Sequence, residues 1–161
     1  MKKWSLLFII LSVVFFSCKK ETAKCGYAQS DAIAPQAEKD SIKRYLTANN
    51  IFDAVKDTSG VYYRIVPQGT GMAPGICSNL TVRYKGSFFT GVVFDETPGS
   101  TTTSFDLGQV IIGWQKALPY LKSGGSIDLY IPPSLGYGPS QYQTIPGNSY
   151  LKFSIDLVNV Q

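Results

Sequence analysis

The amino-acid sequence predicts an α+β domain in which an antiparallel β-sheet is covered by one short helix. Apolar and polar residues alternate with period two in several segments after Gly60, which is the pattern of strands with one buried face. One segment around Trp114 has helical spacing instead. With 161 residues, the chain has room for one domain of usual size and a leader, and too little for two comfortable cores. Residues 57–161 are expected to form this domain.

The predicted strands carry apolar side chains at every second position. Four of them are clear, and their apolar residues are Val61, Tyr63 and Ile65; Leu80, Val82 and Tyr84; Ile127, Leu129 and Ile131; and Leu151, Phe153, Ile155 and Leu157. A fifth strand is predicted from Phe88 to Phe94, interrupted by Gly91. Each strand has one apolar face, so we expect the set to pair as a half-buried antiparallel sheet.

One short helix is predicted to cover that sheet. Its apolar residues follow the i, i+3, i+4, i+7 spacing of a single stripe, and they are Trp114, Ala117, Leu118 and Leu121. Pro119 lacks an N–H group and crowds the preceding turn, so the helix should be short.

Residues 36–56 are predicted to form a helical segment ahead of the sheet. The stretch from Gln36 to about Asn49 has few helix breakers, and Ile42, Tyr45 and Leu46 have a loose helical spacing. A dimerisation helix and a short helix packed on its own domain are both compatible with this pattern. The thin apolar stripe favours packing on its own domain.

Composition and charge exclude several classes of function. The chain contains no histidine, which rules out a Ser-His-Asp hydrolase and a histidine-ligated metal site. Two of the 15 basic residues, Lys2 and Lys3, lie in a segment expected to be removed, which leaves 13 against 11 acidic residues. A nucleic-acid binder would need a concentrated basic face, so no nucleic-acid partner is expected. Gly69 and Gly71 lie in a turn with no helical pattern behind it, so no phosphate-binding loop, cofactor or metal is predicted.

The first 18 residues resemble the leader of a bacterial lipoprotein. Two lysines precede an apolar run from Trp4 to Phe16, which is too short to span a bilayer but suits a signal peptide over residues 1–17. Small Ser17 and then Cys18 follow where the run stops, as in a lipobox. The alternative is an ordinary cleaved signal with a stray cysteine. We expect a lipid on Cys18, a polar tether over residues 18–35, and a location in the cell envelope, anchored to a bacterial membrane and facing the periplasm or the exterior.

Two further cysteines remain if Cys18 carries a lipid. Cys25 and Cys77 are then an even pair in an oxidising compartment, so we predict a disulfide between them. The alternative is two unpaired thiols.

Three segments resemble the FKBP family in order, spacing and identity. They are Thr81–Gly86 followed by Gly91–Asp95, Phe105–Trp114, and Leu129–Gly138 followed by Ile145–Phe153. The resemblance extends over roughly residues 60 to 161, and no single segment would carry it alone. It implies a twisted antiparallel sheet wrapped around a short helix, which agrees with the strand and helix patterns above. It also implies peptidyl-prolyl cis-trans isomerase activity, with proline-containing unfolded or folding polypeptides as partners.

The resemblance assigns roles to individual residues. Trp114 would form the floor beneath the proline ring, Tyr137 would donate a hydrogen bond to a substrate carbonyl, and Asp95 would polarise the rim. The backbone N–H of Ile111 is the other expected donor. The remaining residues implied to line the pocket are Tyr84, Phe94, Val110, Ile145 and Phe153.

The sequence also departs from the family pattern. Thr103 stands where the family often has an aromatic residue, no basic residue follows the Phe94-Asp95 pair, and the loop from Pro139 to Thr144 lacks a frequent histidine. Macrolide inhibitors are partners that the resemblance implies, and these changes predict a reduced affinity for them. The altered rim keeps two alternatives open, a non-catalytic proline-segment-binding module or holdase chaperone, and a structural envelope lipoprotein.

Overall fold

The computed structural model describes residues 25–161. The signal peptide predicted for residues 1–17 and the lipidation site predicted at Cys18 lie outside them. Two α-helices are α1 (Gln36–Ala48) and α2 (Ile112–Ala117). The strands are β1 (Val55–Lys56), β2 (Tyr62–Ile65), β3 (Asn79–Phe88), β4 (Val93–Glu96), β5 (Thr103–Asp106), β6 (Gly125–Ile131) and β7 (Leu151–Val160). Short 3₁₀ turns cover Leu107–Gln109, Leu118–Tyr120 and Pro133–Leu135.

All seven strands belong to one antiparallel sheet, in the order β1-β2-β6-β7-β3-β4. Strand β3 pairs with β7 along its whole length on one edge. Its other edge is shared, because β5 pairs with the first half of β3 and β4 pairs with the second half. The sheet is therefore split beyond β3, between β4 and β5.

The main core lies between α2 and the inner face of the sheet. All four residues of the predicted stripe are buried, from Trp114 to Leu121, and the helix ends after six residues in the 3₁₀ turn that contains Pro119. The inward-facing residues of β6 and β7 are almost completely buried, as the period-two pattern predicts. The predicted fold class, a twisted antiparallel sheet around one short helix, is confirmed by the structural relatives described below.

Helix α1 covers part of the outer face of the sheet. Its buried residues Ile42 and Leu46 pack against Tyr130, which points away from the main core and is nevertheless fully buried. The ring of Phe89 stacks on Tyr45 of α1 with 3.8 Å between the ring centroids. This end of the sheet is thus buried on both faces, which the alternating pattern of β6 did not predict.

Residues 25–34, here called the N-terminal strap, run without helix or strand structure along the domain. A disulfide joins Cys25 to Cys77, with 5.6 Å between the two Cα atoms. At the other end the N–H of Ala34, a buried residue, donates to the carbonyl of Ser59 at 2.8 Å. The described part of the predicted tether therefore contacts the folded domain at both ends.

The prediction of a fifth strand from Phe88 to Phe94 was wrong. Phe88 ends β3 and Val93 begins β4, so residues 89–92 form a hairpin turn between two strands. Gly91 lies at the turn with a φ of +89°, a conformation that glycine adopts without strain. Strands β1 and β5 were missed; both are short. No helix in residues 25–161 is long and apolar enough to cross a membrane.

Candidate functional site

A cavity of about 270 Å³ lies where β3, β4, β5 and β7 meet the segment that leads into α2. The residues that line it are Tyr84, Asp95, Phe105, Gln109, Val110, Ile111, Trp114, Tyr137, Tyr142 and Phe153. We call this the aromatic cavity. Seven of the nine residues predicted for the pocket are brought together in it.

Trp114 is enclosed by three other aromatic rings. The centroid of its ring lies 5.6 Å from that of Tyr84, 5.9 Å from that of Phe105 and 5.3 Å from that of Phe153, and each pair is close to perpendicular. Edge-to-face packing of this kind suits the charge distribution of aromatic rings and fixes their orientation. Trp114 is only 4% exposed. The arrangement gives the aromatic cavity a rigid apolar base.

Asp95 lies at the exposed rim and is held by Tyr84. The Tyr84 hydroxyl donates to a carboxylate oxygen of Asp95, with 2.5 Å between the oxygens. Burial first, and then this hydrogen bond and the Asp95 charge, raise the pKa of Tyr84 above its usual value. The Tyr84 phenol therefore stays protonated at neutral pH and keeps the carboxylate in a fixed position.

Tyr137 lines the aromatic cavity and stacks on Tyr142, with 4.7 Å between ring centroids. Burial, with smaller contributions from Tyr142 and Asp95, raises the pKa of Tyr137. Its hydroxyl therefore keeps its proton at neutral pH. The protonated hydroxyl lines the aromatic cavity and can donate to a bound ligand.

Ile111 immediately precedes α2 and caps its first turn. Its carbonyl accepts from the N–H groups of Trp114 and Gln115, at 3.0 and 3.3 Å. A residue in this position has no helical carbonyl for its own N–H. Within the described residues, no backbone carbonyl outside the regular elements accepts from it either. The Ile111 N–H is thus a second donor beside the aromatic cavity.

Phe94 and Ile145 are the two predicted pocket residues that lie behind the lining. Phe94 packs on Phe88 and Phe153, with centroid distances of 5.0 and 5.6 Å. Ile145 is buried, and its backbone exchanges hydrogen bonds with Tyr142 at 2.8 and 2.9 Å. Both therefore support residues that reach the aromatic cavity.

Three lining residues were not assigned from the sequence. Phe105 lies on the missed strand β5, where the β-branched run ahead of it was the usable signal. Gln109 sits in a 3₁₀ turn, and Tyr142 sits in a polar loop. Neither loop residue has a periodic pattern that sequence reasoning could use.

The aromatic cavity is suited to hold a small apolar ring beside a polar carbonyl. Its ten lining residues supply aromatic walls, one carboxylate and several donors. They include no serine, cysteine or lysine that could act as a nucleophile. The arrangement favours non-covalent chemistry.

A family model and individual relatives of this chain indicate the same protein family. A family model described as FKBP-type peptidyl-prolyl cis-trans isomerase matches residues 72–158. The chain is 41% identical over 106 residues to the FKBP-type peptidyl-prolyl cis-trans isomerase FkpA of Buchnera aphidicola, covering 65% of this chain and 44% of that protein. It is 34% identical over 122 residues to the peptidyl-prolyl cis-trans isomerase Mip of Coxiella burnetii, covering 74% of this chain and 53% of that protein. The chain therefore spans about half the length of the curated relatives it matches.

Two solved structures resemble the fold closely. The crystal structure of FkpA from Escherichia coli superposes with a TM-score of 0.70 at 33% identity, over 78% of this chain and 60% of that one. The crystal structure of a peptidyl-prolyl cis-trans isomerase from Pseudomonas syringae superposes with a TM-score of 0.68 at 27% identity, over 80% of this chain and 97% of that one.

Proposed function

Because this chain belongs to the FKBP-type peptidyl-prolyl cis-trans isomerase family, we propose that it isomerises Xaa-Pro bonds of exported proteins and so assists their folding. The observation that carries the proposal is the perpendicular aromatic enclosure of Trp114 beside two free donors, Tyr137 and the Ile111 N–H.

The reaction requires rotation of a peptide bond and no covalent step. The barrier is roughly 18–20 kcal/mol, because amide resonance is lost as the bond twists. The twisted amide is less dipolar than the planar one, so an apolar cavity that excludes water favours it. Any interaction that is stronger in the twisted state than in the planar one accelerates the reaction.

The lining residues can divide this task between them. The proline ring would lie on Trp114, between the rings of Tyr84 and Phe153. The Tyr137 hydroxyl and the Ile111 N–H would donate to substrate carbonyls on either side of the ring. Asp95, held by Tyr84, would present its negative charge at the rim, where the amide carbon becomes more electropositive as resonance is lost.

The test is cis-trans exchange of a short Leu-Pro peptide, measured by NMR with the full chain added. We expect faster exchange, and a roughly threefold to tenfold slower rate in Tyr137→Phe, which loses one hydrogen bond to a polar substrate atom. Tyr120→Phe is the matched control, since that ring is 44% exposed and does not line the aromatic cavity. Peptide binding without any acceleration would overturn the enzyme proposal and favour the binding-module alternative.

We also propose that the protein is held in the cell envelope by a lipid on Cys18. Support comes from the Ser17-Cys18 junction after the apolar run and from a relative in Legionella longbeachae named outer membrane protein MIP, which is 38% identical over 105 residues. A fatty-acid probe supplied to cells should label the wild type and Cys25→Ala, and should not label Cys18→Ala. Equal labelling of Cys18→Ala would refute the anchor.

A further inference from the structure

The N-terminal strap places one aromatic side chain against the outside of the cavity wall. We call residues 107–111 the wall segment, because Gln109, Val110 and Ile111 line the aromatic cavity. The ring of Tyr27 lies so close to this segment that a Cβ atom added at Gly108 would overlap the Tyr27 Cγ. The side-chain amide of Gln109 also donates to the Tyr27 hydroxyl at 2.6 Å.

Tyr27 is held close to the loop ahead of β3, and that loop also binds the first residue of the wall segment. Two residues before it, Cys25 is bonded to Cys77 in the loop ahead of β3. The next residue in that loop, Ser78, accepts from the N–H of Leu107 at 2.9 Å. The Tyr27 hydroxyl lies 3.5 Å from a carboxylate oxygen of Asp106. The Tyr27 side chain therefore has contacts at its hydroxyl end, with Asp106, and at its Cγ end, with Gly108.

The inner side of the wall segment has a separate support. The side chain of Gln115 in α2 donates to the carbonyl of Val110 at 2.7 Å and reaches that of Gly108 at 3.4 Å. Tyr27 on the outside and Gln115 on the inside therefore clamp the segment between them. Loss of Tyr27 should loosen the segment without unfolding it, because the Gln115 contacts remain.

We propose that Tyr27 is a positioning residue, which holds Gln109, Val110 and Ile111 at the distance from Trp114 that a bound proline ring requires. The proposal rests on the isomerase function proposed above. It assigns a part in substrate binding to a residue that lies outside the segment matched by the family model, residues 72–158.

The test compares Tyr27→Ala with Tyr27→Phe in the full chain, using a concentration series of the Leu-Pro peptide. Tyr27→Ala should raise KM roughly threefold to tenfold, with kcat within about twofold, because the wall binds the planar and twisted substrates alike. Tyr27→Phe keeps the ring on Gly108 and should recover most of the affinity. Phe52→Ala removes a ring that is 75% exposed and away from the aromatic cavity, so its KM should equal that of the wild type.

A second readout follows the site without substrate turnover. The chain has two tryptophans, so a Trp4→Phe background leaves Trp114 as the single tryptophan, whose emission is followed by exciting tryptophan selectively over tyrosine. Tyr27→Ala should shift Trp114 emission to longer wavelength, as water reaches the loosened wall. It should also weaken peptide binding, measured by titration of that emission.

A substitution at Gly108 tests the contact between Tyr27 and the wall segment from the side of the wall segment. Gly108→Ala should displace the Tyr27 ring and reproduce the KM of Tyr27→Ala. The double variant should then be no worse than either single one, because both changes remove one contact. Unchanged KM and emission in Tyr27→Ala, or fully additive effects in the double variant, would overturn the proposal. If the wild type fails to accelerate exchange while Tyr27→Ala still weakens peptide binding, the isomerase function fails and the positioning role stands.

Discussion

The hydroxyl of Tyr84 donates a hydrogen bond to the carboxylate of Asp95, so the one acidic residue among the ten that line the aromatic cavity within residues 25–161 is held by one of its aromatic walls. Hydrogen bonds to an ionised acceptor are short and stronger than neutral ones, which fixes the position of the charge. The two side chains therefore act on a ligand as one unit.

The first prediction removes that charge. Asp95→Ala should lower kcat/KM for the Leu-Pro peptide roughly threefold to tenfold. The melting temperature should change little, because Asp95 is exposed and the Tyr84 hydroxyl can turn to water. Glu96→Ala is the matched control, since Glu96 pairs with exposed Lys85 at 3.7 Å and does not line the aromatic cavity. An equal loss of activity in both variants would assign the effect to the general surface charge.

The second prediction concerns the base of the aromatic cavity. Trp114→Ala should lower the free energy of unfolding by about 3–5 kcal/mol, because it empties a large buried volume among three other rings. Trp114→Phe should cost less and should keep the domain folded, so that its activity can be measured. Urea denaturation followed by circular dichroism gives both values. A stability loss below about 1 kcal/mol for Trp114→Ala would contradict the tight packing described above.

The third prediction is a loss of stability at alkaline pH that depends on Tyr130. Burial raises the pKa of this phenol to about 12, whereas in the unfolded chain it ionises near 10. The unfolded state therefore releases its proton first, so stability should fall as the pH rises from about 10 to 12, by at most about 3 kcal/mol for this group. Tyr130→Phe should reduce that fall.

Below pH 9 the same substitution should leave stability unchanged or slightly higher. The buried Tyr130 hydroxyl has no hydrogen-bond partner within residues 25–161, so nothing is lost with it. Tyr120→Phe removes the hydroxyl of a half-exposed ring and is the control. The idea fails if the two variants show the same alkaline unfolding curve.

Much of this architecture could be predicted from local pattern. Period-two alternation identified β3, β6 and β7, and the Trp114 stripe identified α2, because each element has one buried face. The hairpin at Gly91 was read as a strand, since a short apolar run looks the same on either side of a turn. Tyr130 and Tyr27 escaped prediction for another reason. Tyr130 is buried by α1, and Tyr27 of the N-terminal strap lies against the wall segment; in both cases the partners are far apart in sequence.

The fourth prediction concerns the disulfide between Cys25 and Cys77. Non-reduced peptide mapping by mass spectrometry should recover the two cysteine peptides joined. The bond closes a loop across a sequence separation of 52 residues. For a loop of that size, the paired substitution Cys25→Ser with Cys77→Ser should lower the free energy of unfolding by about 4 kcal/mol on a chain-entropy basis. If protein isolated from the cell envelope contained Cys25 and Cys77 as free thiols, the pairing would be rejected.

The position of that disulfide also limits the distance between a lipid anchor on Cys18 and the folded domain. With a lipid on Cys18, Cys25 lies seven positions after the anchor, and a fully extended chain over that distance reaches about 25 Å. Without the bond, the backbone contact of the strap nearest the anchor is the Ser30 carbonyl, which accepts from the Lys116 side chain, and the reach to that point is about 40 Å. With that anchor, the covalent closure would limit how far the domain can move from the bilayer surface, where chains that have just crossed the membrane are met before they diffuse away.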